Sequence, residues 1–222
     1  MSDKETVKRV HASFLSRHEA VVLRFIVVRL PSWITPDALT AIGLLGAILV
    51  CVGYSLTNLS VAWLWLASFG LVINWFGDSL DGTLARYRQI ERPRYGFFVD
   101  HNVDVVSTVF IALGAGFTAW LRMDVALLLL AGYLSLAIMT FVRSVVHRRM
   151  HVDAFGFGPT EMRLVILGAN LLFATVEVSK HDFLGVTGTI WDLIALLVAL
   201  FLFGLFVVSF FVEAAAMRHI DE

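Results

Sequence analysis

The stretch DALTAIGLLGAILVCVGYSLTNLSVAWLWLASFGLVINWFGD, residues 37–78, carries no charged side chain between its terminal aspartates, a gap of 40 residues. About 18 uncharged apolar residues suffice to cross a bilayer as a helix, and this stretch has room for two such spans. Asn58-Leu59-Ser60 reads as the turn between them, with a first span over residues 37–56 and a second from 61 to about 77. Just upstream, Thr35-Pro36-Asp37 is a helix-start signal, with Thr as N-cap, Pro in the first helical position and Asp in the first turn. Downstream, the helical pattern of the second span continues past Asp78 to about Arg88. Inside lipid the backbone must satisfy its own hydrogen bonds, so these segments are helices.

The same reading places a third span over residues 97–121 and a fourth from Asp124 to His147. A fifth runs from Pro159 to Val178, with only residues 164–176 free of charge, and a sixth from Leu193 to Val212. The fold class expected is therefore an all-α integral membrane protein with six transmembrane helices. Composition agrees: of 222 residues 59% are hydrophobic and 16% charged, against about 25% charged residues in a soluble domain. A soluble enzyme, a disordered tail and a secreted disulfide scaffold are excluded, the last because Cys51 is the single cysteine.

Residues 1–30 lack the continuous apolar core of a signal peptide. Val7, Val10, Phe14, Val21, Val22 and Phe25 alternate with Lys4, Lys8, Arg9, Arg17, Arg24 and Arg29 at roughly helical spacing. This predicts an amphipathic juxtamembrane helix, lying on the headgroups or packed on the ends of the spans. Pro31 ends it and Trp33 is placed as an interfacial anchor. The organisation expected is a surface helix over 1–30 and one six-span domain over 31–222, without internal repeats. With six spans, fifteen Lys and Arg residues fall on one side and two, Arg122 and Lys180, on the other. The positive-inside rule then puts both termini on the cytoplasmic side, together with the segments around residues 78–104 and 143–163.

Those segments hold the chemistry. Asp78, Gly82 and Arg86 repeat every four residues on one helix, with Asp81 and Ala85 in the neighbouring row. Gly96, Asp100 and Asp104 repeat the spacing on the next helix, after a connection of about nine residues. Four clustered carboxylates in a membrane protein need neutralisation. One solution is Mg²⁺ or Mn²⁺ sharing its shell with substrate phosphates, the small Gly82, Ala85 and Gly96 leaving room for a phosphorylated ligand. The other is a purely structural network in which Arg86, Arg88, Arg92 and Arg94 pair with the acids.

The pattern Asp78-x2-Asp81-Gly82-x2-Ala85-Arg86-x9-Gly96-x3-Asp100-x3-Asp104 resembles the complete signature of the CDP-alcohol phosphotransferases. Pro36-x-x-Leu39-Thr40 at the start of the first span resembles that family as well, and the likeness extends over roughly residues 30–212. It implies transfer of a substituted phosphate from a CDP-linked alcohol to an acceptor alcohol, one of them a lipid, with release of CMP. It further implies that Asp78, Asp81, Asp100 and Asp104 hold one or two divalent metals, with Asp104 alternatively serving as the general base. Gly82, Ala85, Arg86 and Gly96 would lie against the cytidine diphosphate. The implied partners are those two alcohols, the membrane and a second copy in a homodimer, with no nucleic acid.

Smaller features bear on the branch. His101 completes an Asp-His-x-x-Asp pattern resembling the enzymes that use CDP-choline and CDP-ethanolamine. It is either a base, its ordinary pKa being near neutrality, or a hydrogen-bonded helix histidine. Gly158-Pro159-Thr160-Glu161 resembles a Gly-Pro-x-Glu stretch of the same branch, although Met162-Arg163 stands where a glycine is expected. Glu161 is thus a candidate for a cationic headgroup or a metal, or simply a helix-start residue. Arg143, His147, Arg148, Arg149 and Arg163 crowd this side, as positive-inside topology or a phosphorylated acceptor would each require. Arg143, set among apolar neighbours, is expected to face the site. Two further classes share an acid cluster: an aspartate-rich intramembrane prenyltransferase, expected to have more spans, and a divalent-cation transporter, expected to place acids at mid-membrane on several spans.

Overall fold

The computed structural model describes residues 16–147, 159–183 and 185–221; the first half of the expected surface helix, Arg148 and Arg149 lie outside them. The chain runs through α1 (Ser16–Val27), α2 (Pro36–Leu56), a 3₁₀ turn (Val61–Trp63) leading into α3 (Leu64–Tyr87), α4 (Pro93–Gly116) and α5 (Met123–His147). Then come α6 (Pro159–Phe173), an antiparallel hairpin of β1 (Lys180–Phe183) and β2 (Val186–Thr189), and α7 (Ile190–Asp221). The start signal for α2 works as its residues dictate: the Ala38 amide donates to Thr35 Oγ1 at 3.1 Å, and Pro36 occupies the first turn.

The most extensive packing is of α3 on α2, and glycine sets its distance. Gly43 and Gly46 on α2 face Gly77 and Gly70 on α3, and Gly53 faces Ala67. A methyl at Gly70 would sit 2.7 Å from both the Gly46 carbonyl oxygen and the Val50 nitrogen. Lipid supplies no hydrophobic force between helices, so close backbone approach and polar bonds must hold them. Here Asn74, buried on α3, donates to the Gly43 carbonyl at 3.0 Å. α4 packs on α2 and α5, and α5 packs on α7; Gly114 of α4 fits against Cys51 Cα of α2 in the same way.

α1 lays Leu23 and Val27 on Leu39, Leu80 and Leu84, while Val21, Val22, Phe25 and Val28 are exposed. Arg88 ties the α1–α2 link beneath it by donating to the carbonyls of Leu30, Pro31, Ser32 and Ile34. At the opposite end of the bundle, Val50, Tyr54, Leu64, Leu71 and Trp120 form a second apolar cluster. A polar clasp crosses it: Tyr54 donates to Asn170 at 2.7 Å and Asn170 to Ser68 at 3.0 Å, joining α2, α6 and α3.

Among the described residues, five helices are long and apolar enough to cross a membrane: residues Pro36–Leu56, Val61–Tyr87, Pro93–Gly116, Met123–Val146 and Ile190–Arg218. The protein is thus an all-helical, multi-pass membrane protein apart from its one short hairpin. α6, expected as a span to Val178, has 15 residues, about 22 Å of helix, and its last turn closes at Phe173. Its first turn nevertheless lies at the end of the bundle that holds Asp78, and Phe173 stacks on Trp120 and meets Trp191 at the other.

Other boundaries also differ from expectation, α7 running on to Asp221 among them. α4 starts at Pro93 and ends at Gly116, because Pro is suited to a first helical turn, so the connection from α3 shrinks to residues 88–92. α7 starts at Ile190 because Thr189 and Asp192 form a reciprocal cap: the Thr189 amide donates to Asp192 and the Asp192 amide to Thr189 Oγ1. The hairpin was unexpected; Gly185, at φ +85°, makes its turn, and Asp182 accepts from the Gly185 amide.

The crossing predicts that Gly70→Val lowers thermal stability in detergent by about 2 kcal/mol or more through overpacking. Gly204→Val, where an added Cβ meets nothing within 4 Å, should leave the melting temperature unchanged in the same scan.

Candidate active site

The end of α3 and the start of α4 bring the acids together. One carboxylate oxygen each from Asp78, Asp100 and Asp104 lies within 4.8 Å of the others. Helical spacing explains the grouping: Asp100 and Asp104 are one turn apart on one face of α4, and the short connection turns that face toward Asp78. A cleft of about 200 Å³ opens over them, walled by Thr40 and Gly43 of α2, Asn74 of α3, and Val103 and Ser107 of α4. Asp81 stands outside the group of three. It is buried, accepting from Thr40 Oγ1 at 2.6 Å and from the Gly82 amide at 2.5 Å.

An arginine from a distant element reaches this group. Arg163 on α6 donates through Nη2 to Asp78 at 2.7 Å and through Nε to Asn74 at 2.9 Å. Its side chain is 12% exposed, and its Nη1 is buried with no hydrogen-bond partner among the described residues. Of the arginines offered by the structural alternative, Arg88 is spent on backbone carbonyls, and Arg92 pairs with Asp37. Arg86 places its guanidinium over Gly82 and donates to Thr83 at 3.2 Å. A Cβ at Gly96 would meet nothing within 4 Å, so the first turn of α4 leaves open space there; Ala85 of α3 is half-buried.

His101 lies on the flank of the cluster. Its Nδ1 is 2.9 Å from the Phe97 carbonyl and 3.6 Å from Asp100. Since a carbonyl only accepts, Nδ1 carries the proton in that bond. The ring packs between Phe97 and Phe141. Here a second cleft of about 320 Å³ separates α4 from α5, lined by His101, Asp104, Thr108, Tyr133, Ala137 and Phe141. Asp104 borders both clefts.

Glu161 is buried in the first turn of α6. Arg143, expected to face the site, forms an ion pair with Glu213 of α7, which joins the ends of α5 and α7. Asn74 and Ser107 escaped sequence reading. Asn74 is an amide in an otherwise apolar stretch, a full turn before Asp78, a spacing that could have marked it. Ser107 lines the cleft, buried, with its Oγ lacking a partner among the described residues. The donor chemistry suits a divalent cation: three carboxylates are hard oxygen ligands of the kind Mg²⁺ and Mn²⁺ favour.

The family described as CDP-alcohol phosphatidyltransferase matches residues 33–206, which include α2 to α6, the first half of α7 and the whole acid cluster. The chain belongs to this family. Among curated proteins it is 36% identical to cholinephosphotransferase 1 of Danio rerio over 96 residues, 40% of this chain and 25% of that one. Cholinephosphotransferase 1 of Homo sapiens gives 36% over 96 residues, covering 40% and 23%. Archaetidylinositol phosphate synthase of Pyrococcus horikoshii gives 35% over 99 residues, covering 45% and 50%. The matches therefore span about a quarter of the length of the cholinephosphotransferases and half of the archaeal synthase.

Because Arg163 supplies positive charge to a crowded acid group, its removal should leave the carboxylates mutually repelling. Arg163→Ala is expected to melt lower than wild type in EDTA and to gain more than wild type when Mn²⁺ is added, since a ligand of the native state stabilises it. Thermal scans with and without metal read this directly.

Proposed function

We propose that the protein transfers a substituted phosphate from a CDP-linked alcohol to an acceptor alcohol in the membrane, releasing CMP, and so makes phospholipids. The observation that carries this reading is the grouping of Asp78, Asp100 and Asp104 oxygens inside the family signature. Asp78, Asp100 and Asp104 would hold one divalent cation, Mg²⁺ or Mn²⁺. Asp81, with two of about four lone-pair sites used, keeps capacity for a second. Such a cation offsets negative charge on the pyrophosphate oxygens.

The chain's own groups do the rest. Arg86, over the small Gly82, faces the space assigned to the cytidine diphosphate, together with Ala85 and Gly96. The acceptor hydroxyl comes from the α4–α5 cleft, where Asp104 and His101 both stand. Its oxygen bonds to the phosphorus that carries the donor alcohol, the bridging P–O bond breaks, and CMP leaves with the electron pair. The hydroxyl proton passes to Asp104 or to Nε2 of His101.

The donor we favour is of the CDP-choline or CDP-ethanolamine type, with a lipid alcohol as acceptor. His101 beside Asp100 and the likeness to cholinephosphotransferases support this. A CDP-diacylglycerol donor with a phosphorylated acceptor is the second reading, supported by the likeness to the archaeal synthase. It is weakened because Arg163 and Arg143, the described arginines of that basic group, are engaged with Asp78 and Glu213. Family membership over residues 33–206 leaves the prenyltransferase and the transporter without support.

The topology we infer has six crossings, α6 being a short one, and an amphipathic α1 on the cytoplasmic face. The fifteen-to-two division of basic residues supports a cytoplasmic position for both termini and the active site. Homodimerisation rests on the family resemblance alone.

CMP release from CDP-choline, CDP-ethanolamine and CDP-diacylglycerol, each with Mn²⁺ and a panel of alcohols, tests the proposal. Turnover is expected with a CDP-amino-alcohol and diacylglycerol. Loss of a general base should cost about 10² to 10⁴ in rate, and comparing folded Asp104→Asn with His101→Ala assigns it. Absence of CMP release with every pair would overturn the reading.

A further inference from the structure

The surface helix α1 reaches the active site through one carboxylate. Oε1 of Glu19 accepts three hydrogen bonds: from Trp75 Nε1 at 2.8 Å, Ser79 Oγ at 2.8 Å and Thr160 Oγ1 at 3.0 Å. Trp75 and Ser79 are one turn apart on α3 and bracket Asp78; Thr160 is in the first turn of α6. The adjacent row of α3, Asn74 and Asp78, holds Arg163, one turn further along α6. Two parallel clasps thus join α3 to the start of α6, and the outer one closes only through a residue of α1. Glu19 continues the inner face of α1, one turn before Leu23 and two before Val27, both buried on Leu80 and Leu84. A negative group is also favoured beside the N-terminal end of α6.

We propose that Glu19 is a positioning residue: it fixes the first turn of α6 and thereby the placement of Arg163 on Asp78. The idea rests on the enzymatic reading for its effect on turnover, and on geometry alone for its effect on α6. A helix outside the family match, which begins at residue 33, then helps to set the charge balance of the acid cluster. The carboxylate acts here only as an acceptor, so glutamine can substitute and alanine cannot.

The test has two arms on the full-length protein in detergent with Mn²⁺. In the first, hydrogen exchange of amides in residues 163–166 should quicken in Glu19→Ala and in the milder Thr160→Val, and stay near wild type in Glu19→Gln. In the second, Glu19→Ala should lower kcat/KM for CMP release about tenfold, the scale of a lost hydrogen-bond acceptor, with Glu19→Gln restoring it. Introduced into Arg163→Ala, the same change should add less than about threefold, as expected of residues acting through one another. Unchanged exchange in Glu19→Ala, or a full tenfold loss with Arg163 already absent, would overturn the proposal. If Glu19→Ala does not fold, unchanged exchange in Thr160→Val does so. Failure of the enzymatic reading would show as no CMP release from wild type, while the exchange arm still decides the role of Glu19.

Discussion

Three carboxylates within 4.8 Å of one another, at the ends of helices that are otherwise apolar, constrain everything around them. Like charges so close repel by several kcal/mol wherever the surroundings are less polarisable than water. Nothing in lipid relieves that cost, so it must be met by protein cations, by a bound metal or by both. Arg163 is one such cation, brought from α6 and buried to 12% exposure. Its position explains why a 15-residue helix begins at this end of the bundle, why Asn74 sits a turn before Asp78, and why Glu19 and Thr160 clasp the same two helices.

The acid group also depends on how closely α2 and α3 approach. Glycines at the crossing let the two backbones touch, and that contact carries Thr40 to Asp81 and the Gly43 carbonyl to Asn74. A bulkier seam would move the wall of the cleft away from the carboxylates. Packing at mid-bundle and chemistry at its end are therefore one structural problem. The polar Tyr54–Asn170–Ser68 clasp at the far end holds the other half of α6 to the same pair.

Much of this was legible in residues 37–104. Absence of charge marked the first two helices, Thr35 and Pro36 marked the start of α2, and the regular Asp spacing put the acids on facing surfaces. What was not legible has a common cause: it depends on partners far apart in the chain. That Arg163 meets Asp78, that Arg143 turns instead to Glu213, and that Glu19 collects three donors follow from packing and not from local periodicity. The glycines of α2 and α3 were visible but equally compatible with ordinary turns of an apolar helix, since only the partner backbone shows how little space they have. The hairpin before α7 was hidden because four-residue strands carry too short an alternation to stand out.

The central claim is that Asp78, Asp100 and Asp104 form one divalent-cation site across two helices. Titrating Mn²⁺ into the purified protein while following the free-ion paramagnetic resonance signal addresses it without substrate or turnover. The account predicts saturable binding by wild type and affinity weakened about tenfold or more when any one of the three acids becomes asparagine, as for loss of one ligand or its close support. Wild-type affinity in all three variants would contradict it.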